Sequence, residues 1–498
     1  MNLTPPNLPS ASWRIGEPAR NASRSEAGGA QVGFVSKFGF RTSDLYIIHS
    51  MRYSKLFGKT VKNAPADVST VSQKLLHQAG YIRESTSGRY FFLPLGMKVQ
   101  QNIMKIVKEE MDKTGAQEMV SPILHPLELW KETNRTNTTG FELMKITDRR
   151  DFEFALGGTA EEMFVDVIRK FQISYKDLPI NIYQFSNKFR DEMRARGGLL
   201  RVREFIMKDA YSFDTDEVSF KKTYQEMWKT YQTIFERIGL TTIPVEADNG
   251  YIGGEYCHEF DVLCDIGESR FLTTGDGSYA AHEDVAKFGR GLVNKDEKER
   301  PMKIVEQPTW VKTMEDNLKH YKLPKSHFLK NVVYKNRTNK EIVIAVIRGD
   351  LDVNKTKLEH ALSAVGQLED AKVSDLTSIG TKPGYVHSWG HKKAHYIGDI
   401  SLTTVKNFIG GQKEDKTDSI DVNYGRDFTC EKLADIAMAQ DGYIAENGKP
   451  LIEKKGIEVG NIFQLGYHYT NLMKNAVFTD KDGIEKKYYM GCYGIGIG

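Results

Sequence analysis

The sequence predicts a mixed α+β fold in which helices flank an antiparallel sheet. The chain has 498 residues, which is too long for one ordinary core, so two or three packed units are expected. Several segments place apolar residues at three- and four-residue spacing and end near a glycine, which predicts amphipathic helices. Short β-rich runs follow in irregular order, which favours an antiparallel sheet over β–α–β alternation.

Composition narrows the classes of protein to consider. Lys plus Arg is 69 and Asp plus Glu is 66, so a net charge of +3 provides no bulk attraction to nucleic acid or membrane. No run of about 18 apolar residues occurs, so no membrane-spanning helix is predicted. The four cysteines form no CxxC pair, which argues against a disulfide framework or a four-thiolate zinc site and favours a reducing, cytosolic setting.

The first 50 residues differ from the rest of the chain. They are rich in Ser, Gly, Pro and Asn, hold five basic and three acidic residues, and show little periodicity. Two interpretations stay open. The segment is a disordered leader, such as an organelle transit peptide, or the start was assigned too early and the protein begins at Met51.

The regular elements begin near residue 72. Residues 72–82, 96–115 and 219–240 predict amphipathic helices with glycine near their ends. Between them, RYFFLPL, DFEFALG, INIYQFSNKFR, REFIMKDAYSF, HEFDVLCD and KYYMGCYGIGIG predict strands. The third helix has an apolar stripe typical of a core-facing helix. Its members are Phe220, Tyr224, Met227, Tyr231, Ile234 and Ile238.

Composition shifts again near residue 275. The segment from there to about 455 has its own strands and helices, and GIEVGNIFQLG then returns to the earlier strand style. We interpret it as a domain inserted between two halves of one sheet, since an insertion at a surface loop adds little loop-closure cost. The predicted units are 1–50 (extension), 51–274 (first half of the main domain), 275–455 (insertion) and 456–498 (second half).

Residues 189–205, FRDEMRARGGLLRVREF, concentrate five arginines and three acids around a Gly-Gly pair. Both flanks alternate, which predicts a two-stranded hairpin with charged side chains on one face. Guanidinium forks suit phosphate oxygens, a carboxylate accepts from an amino group, and a ring stacks under a base. The residues concerned are Arg190, Glu192, Arg201, Arg203 and Phe205. The alternative is a solvated surface hairpin whose charges pair with one another.

These residues resemble motif 2 of the class II aminoacyl-tRNA synthetases, and specifically the bacterial-type prolyl-tRNA synthetases. RESTSGRYFFLPLGMKV, GAQEMVSPILHPLELW, GGTAEEMF, GGEYCHEF, GIEVGNIFQLG and GCYGIGIG follow that family's order over about residues 51–498. The resemblance implies a class II synthetase-like antiparallel sheet with an inserted α/β editing-type domain. It also implies a ligase that activates proline with ATP to prolyl-adenylate and transfers it to the proline tRNA. Mg²⁺, a homodimer formed around Pro122 of motif 1 and a cytoplasmic location are implied as well, with no membrane or DNA partner.

The family's ATP-binding residues can be placed one by one. Arg190 falls where the α-phosphate is held and Arg201 where the β- and γ-phosphates are held, so both are expected to be catalytic. Glu192 matches the position that reads the adenine amino group, and Phe205 the position that stacks on the ring. Fixed cations suit this chemistry because the transition state adds charge to an anionic centre. Further ATP contacts are implied at Gln464, Gly494 and Gly496.

The family's proline-binding residues fall on other segments. Thr159 and Glu161 match a loop whose carboxylate pairs with the proline ammonium, although Gly158 replaces the family's usual proline. Taken alone, TAEE would be a capping box that opens a helix. The resemblance also implies a pyrrolidine pocket, and its members are His258, Glu259, Phe260 and Cys492.

The insertion resembles the family's editing domain, which hydrolyses alanine wrongly attached to the proline tRNA. Editing is needed because a pocket cannot exclude a smaller ligand, and a lost methylene is worth only ~1–3 kcal/mol. Lys330 and Asp399 fall on the family's editing positions. Ser388 and Asp418 stand where the family usually has proline and histidine.

In the family, an arginine that clamps ATP and an anticodon-binding domain follow GCYGIGIG, whereas this sequence ends at Gly498. We expect a fragment of a longer product, with a shortened protein as the alternative. Two other functions compete with the ligase: a free-standing hydrolase of misacylated tRNA and a non-catalytic tRNA-binding relative. The implied adenine and α-phosphate contacts favour the ligase, because a hydrolase does not need them.

Overall fold

A nine-stranded, largely antiparallel sheet organises the molecule. The computed structural model describes residues 52–66, 68–136, 143–411 and 416–498, so the predicted leader at 1–50 lies outside the described residues. Leu56–Gly498 form one compact unit. The helices of the described residues are α1 (Val71–Gln78), α2 (Pro94–Lys113), α3 (Leu127–Glu132), α4 (Glu161–Ile168), α5 (Glu217–Ile238), α6 (Met314–Tyr321), α7 (Lys355–Ala361), α8 (Val373–Ser378) and α9 (His468–Leu472).

The large sheet has the order β10-β9-β12-β11-β21-β24-β8-β7-β3, and its neighbours are antiparallel except β9–β12 and β3–β7. The sequence prediction of an antiparallel sheet flanked by helices is confirmed. The strands of the first half of the chain are β1 (Ile82–Thr86), β2 (Arg89–Phe92), β3 (Gln117–Glu118), β4 (Leu124–Pro126), β5 (Lys145–Thr147), β6 (Glu153–Leu156), β7 (Ile180–Phe189), β8 (Glu204–Asp214), β9 (Thr242–Ala247), β10 (Tyr256–Leu263), β11 (Ser269–Thr274) and β12 (Ala280–His282).

The strands of the second half are β13 (Lys303–Glu306), β14 (Leu329–Asn336), β15 (Ile342–Arg348), β16 (Leu368–Asp370), β17 (Ala394–Asp399), β18 (Phe408–Gly411), β19 (Thr417–Val422), β20 (Lys432–Ala434), β21 (Leu451–Gly466), β22 (Val477–Thr479), β23 (Glu485–Lys487) and β24 (Tyr489–Gly496). Two smaller sheets, β16-β14-β15-β17-β20 and β13-β19-β18, lie within the predicted insertion. However, β12 and the start of β21 also fall inside 275–455 and pair within the large sheet. The boundaries of the insertion stay a prediction.

Helices α2 and α5 cover one face of the large sheet. Helix α5 begins where the Asp216 carboxylate accepts from the Ser219 amide at 2.8 Å, and it ends at Gly239, whose φ of 88° suits glycine. The predicted apolar stripe of α5 is buried against β8, β21 and β24, with Ile238 packed at its edge. Because α5 fills this face, side chains that must reach a ligand have to project from the opposite face of the sheet.

The predicted arginine-rich hairpin differs from the observed one. Strand β7 ends at Phe189 and β8 begins at Glu204, and these two residues pair, so residues 190–203 form a loop. The side chain of Arg203 donates hydrogen bonds to the carbonyl oxygens of Ser87, Glu192 and Met193. These backbone acceptors therefore have partners without a continuous strand pairing. The backbones of Arg196 and Arg201 still pair across the Gly197-Gly198 turn as an isolated antiparallel bridge. The charged residues therefore project from a loop with one such bridge rather than from two continuous strands.

Within the described residues, no helix combines the length and the apolar character needed to cross a bilayer. All four cysteines are free thiols.

Candidate functional site

Two adjoining cavities, of about 640 and 360 Å³, open beside the large sheet. The larger lies on the face opposite α5, whereas the smaller is also lined by Ile103 of α2 and by Phe235 and Ile238 of α5. They share a wall formed by the 190–203 loop, β21 and β24. The residues in that wall are Arg190, Glu192, Leu200, Arg201, Met207, Ile457, Glu458, Asn461 and Gly494. We call the two cavities together the cleft.

The cleft collects most of the residues expected to bind ATP and proline. The larger cavity is lined by Thr159, Glu161, Arg190, Glu192, Arg201, Glu259, Cys492 and Gly494. The smaller cavity adds Phe205 and Gly496. Segments more than 300 residues apart in the sequence therefore meet in one place.

Arg190 lies where the two cavities join. Its Nε donates to the carbonyl oxygen of Gly158 at 3.4 Å, and its guanidinium lies 5.3 Å from the centroid of the Phe205 ring. The guanidinium is thus held between the turn that precedes α4 and an aromatic ring, which orients a cation towards the shared wall.

Arg201 is engaged by two carboxylates. Its Nε and Nη2 donate to the Glu192 carboxylate at 3.0 and 2.9 Å, and its Nη1 donates to Glu268 at 3.1 Å. Arg196 also pairs with Glu268, and these two arginines, Arg196 first, lower the pKa of that carboxyl. The alternative interpretation of the sequence is a surface hairpin whose arginines and acids pair with one another. Arg201, Arg196, Glu192 and Glu268 do form such pairs, and they also line the cleft.

Glu161 forms the floor of the larger cavity. It is fully buried, the Thr159 hydroxyl lies 2.7 Å from its carboxylate oxygens, and the Cys492 thiol donates to it at 3.3 Å. Burial, and then the Glu161 charge, raise the pKa of Cys492, which keeps the thiol protonated as a donor. The capping box that TAEE predicts is not formed, because the Thr159 hydroxyl is directed to this carboxylate and Ala160 is the N-cap.

Arg135, which the sequence analysis did not single out, contacts the buried acids at the start of α4. Its Nη1 lies 2.8 Å from the Glu162 carboxylate and 3.2 Å from that of Glu161, and its guanidinium lies 4.9 Å from the Trp130 ring. It comes from a polar stretch, TNRTNTTG, without apolar periodicity. Only its approach to α4 in three dimensions marks it.

Two further acids, Glu259 and Glu458, line the larger cavity from neighbouring strands. Burial and the charge of Glu458 raise the pKa of Glu259 well above its usual value. Burial also raises the pKa of Glu458, whereas Arg190 opposes that rise. The Asn461 amide donates to Glu458 at 2.8 Å. A cation bound here would relieve the repulsion between these carboxylates.

His258 and Phe260 face the helical layer, in contrast to the expected pyrrolidine pocket. His258 is hydrogen-bonded to the Tyr224 and Tyr256 hydroxyls at 2.9 and 2.8 Å, and burial lowers its pKa to about 4. Phe260 is fully buried against α5. The reason is strand alternation: Glu259 points into the cleft, so the residues on either side of it point away.

Gln464, an expected ATP contact, donates to Glu255 and to the Tyr489 hydroxyl, both at 2.7 Å. Its side chain belongs to this hydrogen-bond group rather than to the lining of the cleft.

The residues expected to edit lie apart from the cleft. Lys330 pairs with Asp352 and donates to the Leu351 carbonyl at 3.2 Å. Asp399 is fully buried, accepts from the Ser401 and Ile436 amides at 2.8 and 2.9 Å, and pairs with Arg290. The editing roles of both residues stay predictions.

The two departures from the editing pattern are also buried. Ser388 donates to Asn331 at 3.0 Å, and Asn331 neighbours Lys330 on β14, so the two side chains point to opposite faces of that strand. Asp418 accepts from the Tyr321 hydroxyl at 2.7 Å.

Pro122 lies on an exposed apolar segment. Val120, Ile123 and Leu124 around it are exposed, Val120 by 76%. Phe152, which precedes β6, is also exposed.

This chain is similar to a protein-family model, to curated relatives and to a solved structure. The family model described as "tRNA synthetase class II core domain (G, H, P, S and T)" matches residues 141–498. The proline--tRNA ligase of Pelotomaculum thermopropionicum is 43% identical over 451 residues, which covers 90% of this chain and 78% of that protein. The same enzyme of Thermotoga maritima is 40% identical over 448 residues, covering 90% and 77%. A solved structure of Giardia lamblia prolyl-tRNA synthetase with prolyl-adenylate has a TM-score of 0.45 at 14% identity, covering 85% of this chain and 49% of that one.

Proposed function

This chain belongs to the class II tRNA synthetases, among the proline--tRNA ligases, and on that basis we propose that it activates proline with ATP and transfers the prolyl group to the proline tRNA. One observation supports the proposal. The buried carboxylate of Glu161, the guanidinium of Arg190 at the cavity junction and the ring of Phe205 follow one another along a single cleft. These groups suit an ammonium, a phosphate and a base respectively.

The amino acid would bind at the Glu161 end. Its ammonium would pair with the buried carboxylate, while Thr159 and Cys492 hold that carboxylate from the sides. Since an isolated buried charge is costly, a cationic ligand is favoured there over a neutral one. Its own carboxylate would then point towards Arg190 and the shared wall.

The nucleotide would span the shared wall, with its base in the smaller cavity. Phe205 supplies a ring, and Gly496 leaves open space on the facing strand β24, since a Cβ at this glycine would meet no heavy atom within 4 Å. Glu192 lines both cavities and accepts hydrogen bonds, as reading an amino group requires.

The proposed chemistry needs no nucleophilic side chain. An oxygen of the proline carboxylate forms a bond to the α-phosphorus, and the bond to the bridging oxygen breaks, releasing pyrophosphate. A terminal tRNA hydroxyl then attacks the prolyl carbonyl, and AMP leaves. Arg190 would stabilise the charge that develops at the α-phosphate, and the cleft would orient the two reactants.

Mg²⁺ would neutralise charge on the triphosphate. Glu259 and Glu458 fit this ion, because burial and the charge of Glu458 raise the pKa of the neighbouring Glu259, and a cation would stabilise both carboxylates. Magnesium at nucleotide sites usually takes one or two carboxylates together with phosphate oxygens. Within the described residues no group of three or more acidic, His or Cys side chains is arranged to hold a metal by itself.

The proposed partners are proline, ATP, the proline tRNA and a second copy of the chain. The exposed apolar residues around Pro122 support the homodimer. We also propose a cytoplasmic location, as the resemblance implies, with an organelle as the alternative if residues 1–50 are a leader. Alanine removal stays a prediction, since no contact of Lys330 or Asp399 favours it.

Proline-dependent ATP–pyrophosphate exchange tests the proposed function. Arg190→Ala should lower exchange by about a hundredfold or more, which is typical of losing one preorganised donor to a developing charge. Arg194→Ala is the matched control, because Arg194 is an exposed arginine of the same loop outside both cavities. It should exchange at the wild-type rate. Retained exchange in Arg190→Ala, or exchange with another amino acid in preference to proline, would contradict the assignment.

A further inference from the structure

Arg135, Glu161 and Glu162 form a buried charged triad behind the amino-acid end of the cleft. Building on the proposed function, we propose that Arg135 and Glu162 are positioning residues. Glu162 draws the Arg135 guanidinium towards itself, so that Glu161 keeps the negative charge that recognises a substrate ammonium group.

The distances support an unequal sharing of the guanidinium. Arg135 Nη1 lies 2.8 Å from Glu162 Oε1 and 3.2 Å from Glu161 Oε2, so the shorter bond goes to Glu162. The Thr133 hydroxyl also donates to Glu162 Oε1 at 2.8 Å and holds that oxygen from a second side. Glu162 is therefore fixed as the main partner of Arg135.

Burial makes the balance of charge matter. Arg135 is 3% exposed, and Glu161 and Glu162 are fully buried. Two carboxylates and one guanidinium leave one net negative charge where water cannot screen it. The unbalanced charge is best placed on Glu161, which alone of the three lines the cleft. A substrate ammonium then completes a neutral group of four charges.

The guanidinium is held in place by its other neighbours. It lies 4.9 Å from the Trp130 ring, 5.5 Å from Tyr469 and 5.9 Å from Tyr251. Such rings attract the cation and exclude water from behind it. Burial raises the pKa of Glu162, and the Arg135 guanidinium opposes that rise.

A simpler role would be an ion pair that only ties residues 133–135 to α4. The two roles differ in which measurement changes. If the ion pair is only structural, the single variants lower thermal stability and change the KM values for proline and ATP together. If the triad sets the charge of Glu161, the single variants raise the proline KM alone, and removing one positive and one negative charge together restores it.

The experiment measures KM for proline and for ATP in exchange, using the full chain. Arg135→Met should raise the proline KM by about tenfold or more, because the remaining acids then share a proton. Glu162→Gln should raise it comparably, because Arg135 then pairs with Glu161 alone and competes with the substrate. The variant with both substitutions should return to within about threefold of wild type, a strong departure from additivity. The ATP KM should change little throughout.

Several outcomes would overturn the proposal: additive effects in the double variant, equal rises in the KM values for proline and ATP, or unchanged single variants. If thermal melts show that Arg135→Met does not fold, two other single variants test the prediction. Glu162→Gln removes a charge, and Arg135→Lys conserves one. Arg135→Lys should keep the proline KM closer to wild type than Glu162→Gln does, and the reverse order would contradict it. Wild-type protein without proline-dependent exchange would instead refute the proposed function itself.

Discussion

Lys208 lies in the centre of β8 with its amino group sealed from water. The amino group donates to the Tyr231 hydroxyl at 2.6 Å and to the Tyr493 carbonyl at 3.1 Å. Its neighbour Asp209 points to the other face, where it pairs with the buried Lys188 at 2.9 Å. Burial lowers the pKa of Lys208 to about 7, which Asp209 only partly offsets.

The free energy of unfolding should therefore depend on pH through Lys208. The folded pKa of about 7 lies below the unfolded value, so the unfolded state binds more protons above pH 7. Stability should then rise with pH above about 7, with a slope approaching ~1.4 kcal/mol per pH unit. Lys208→Met fills the same space without a charge and should abolish this slope. Urea unfolding of both proteins between pH 6 and 9.5 measures it.

The control for this prediction is Lys221→Met, at an exposed position of α5, the helix that carries Tyr231. Its stability should follow wild type at every pH. A difference between wild type and Lys208→Met that does not change with pH would show that Lys208 stays charged inside the protein.

At the scale of elements, the turn between β10 and β11 restrains the arginine-rich loop. Glu268 in this turn accepts from Arg201 at 3.1 Å and also pairs with Arg196. The resemblance assigns Arg201 to the β- and γ-phosphates, and Arg196 lies beside it in the larger cavity. On that prediction, a carboxylate occupies Arg201 before the nucleotide does, and ATP would have to displace it.

Glu268→Gln should lower the ATP KM severalfold, because a neutral amide competes less well with phosphate for the guanidinium groups. The proline KM should stay unchanged. Exchange kinetics at fixed saturating proline measure the effect. Glu453→Gln is the control, since it removes a similar pair with Arg270, at 2.9 Å, outside the cleft. A higher ATP KM in Glu268→Gln would show that Glu268 orders the loop for ATP instead.

At the scale of the whole molecule, the exposed apolar surface around Pro122 should be covered by a second copy. Val120 and Leu124 flank this proline, and Leu124 begins β4 of the small sheet. Val120→Asp should shift the protein from dimer towards monomer, because a buried unpaired charge is costly. Sedimentation velocity at micromolar concentration measures it. Val373→Asp, an equally apolar and exposed site on α8, should leave the mass unchanged. A monomeric wild type would contradict the prediction.

Much of the fold could be predicted because it depends on local patterns. The apolar residues of α5 and the glycine that ends it lie within 23 residues of one another, and the alternating runs that became β7 and β8 are 10 and 11 residues long. The loop at 190–203 could not be predicted, because Arg203 reaches the carbonyl of Ser87, a distant residue in sequence.

The sequence by itself determined strands of the sheet such as β7 and β8, and the flanking helix α5. Through the resemblance it also determined residues of the cleft such as Arg190 and Glu161. Only the tertiary structure decided that Arg135 lies behind Glu161 and that His258 faces α5. The physical reason is that periodicity follows from neighbouring residues, whereas the face of a strand and the partner of a buried charge depend on register and packing between distant segments.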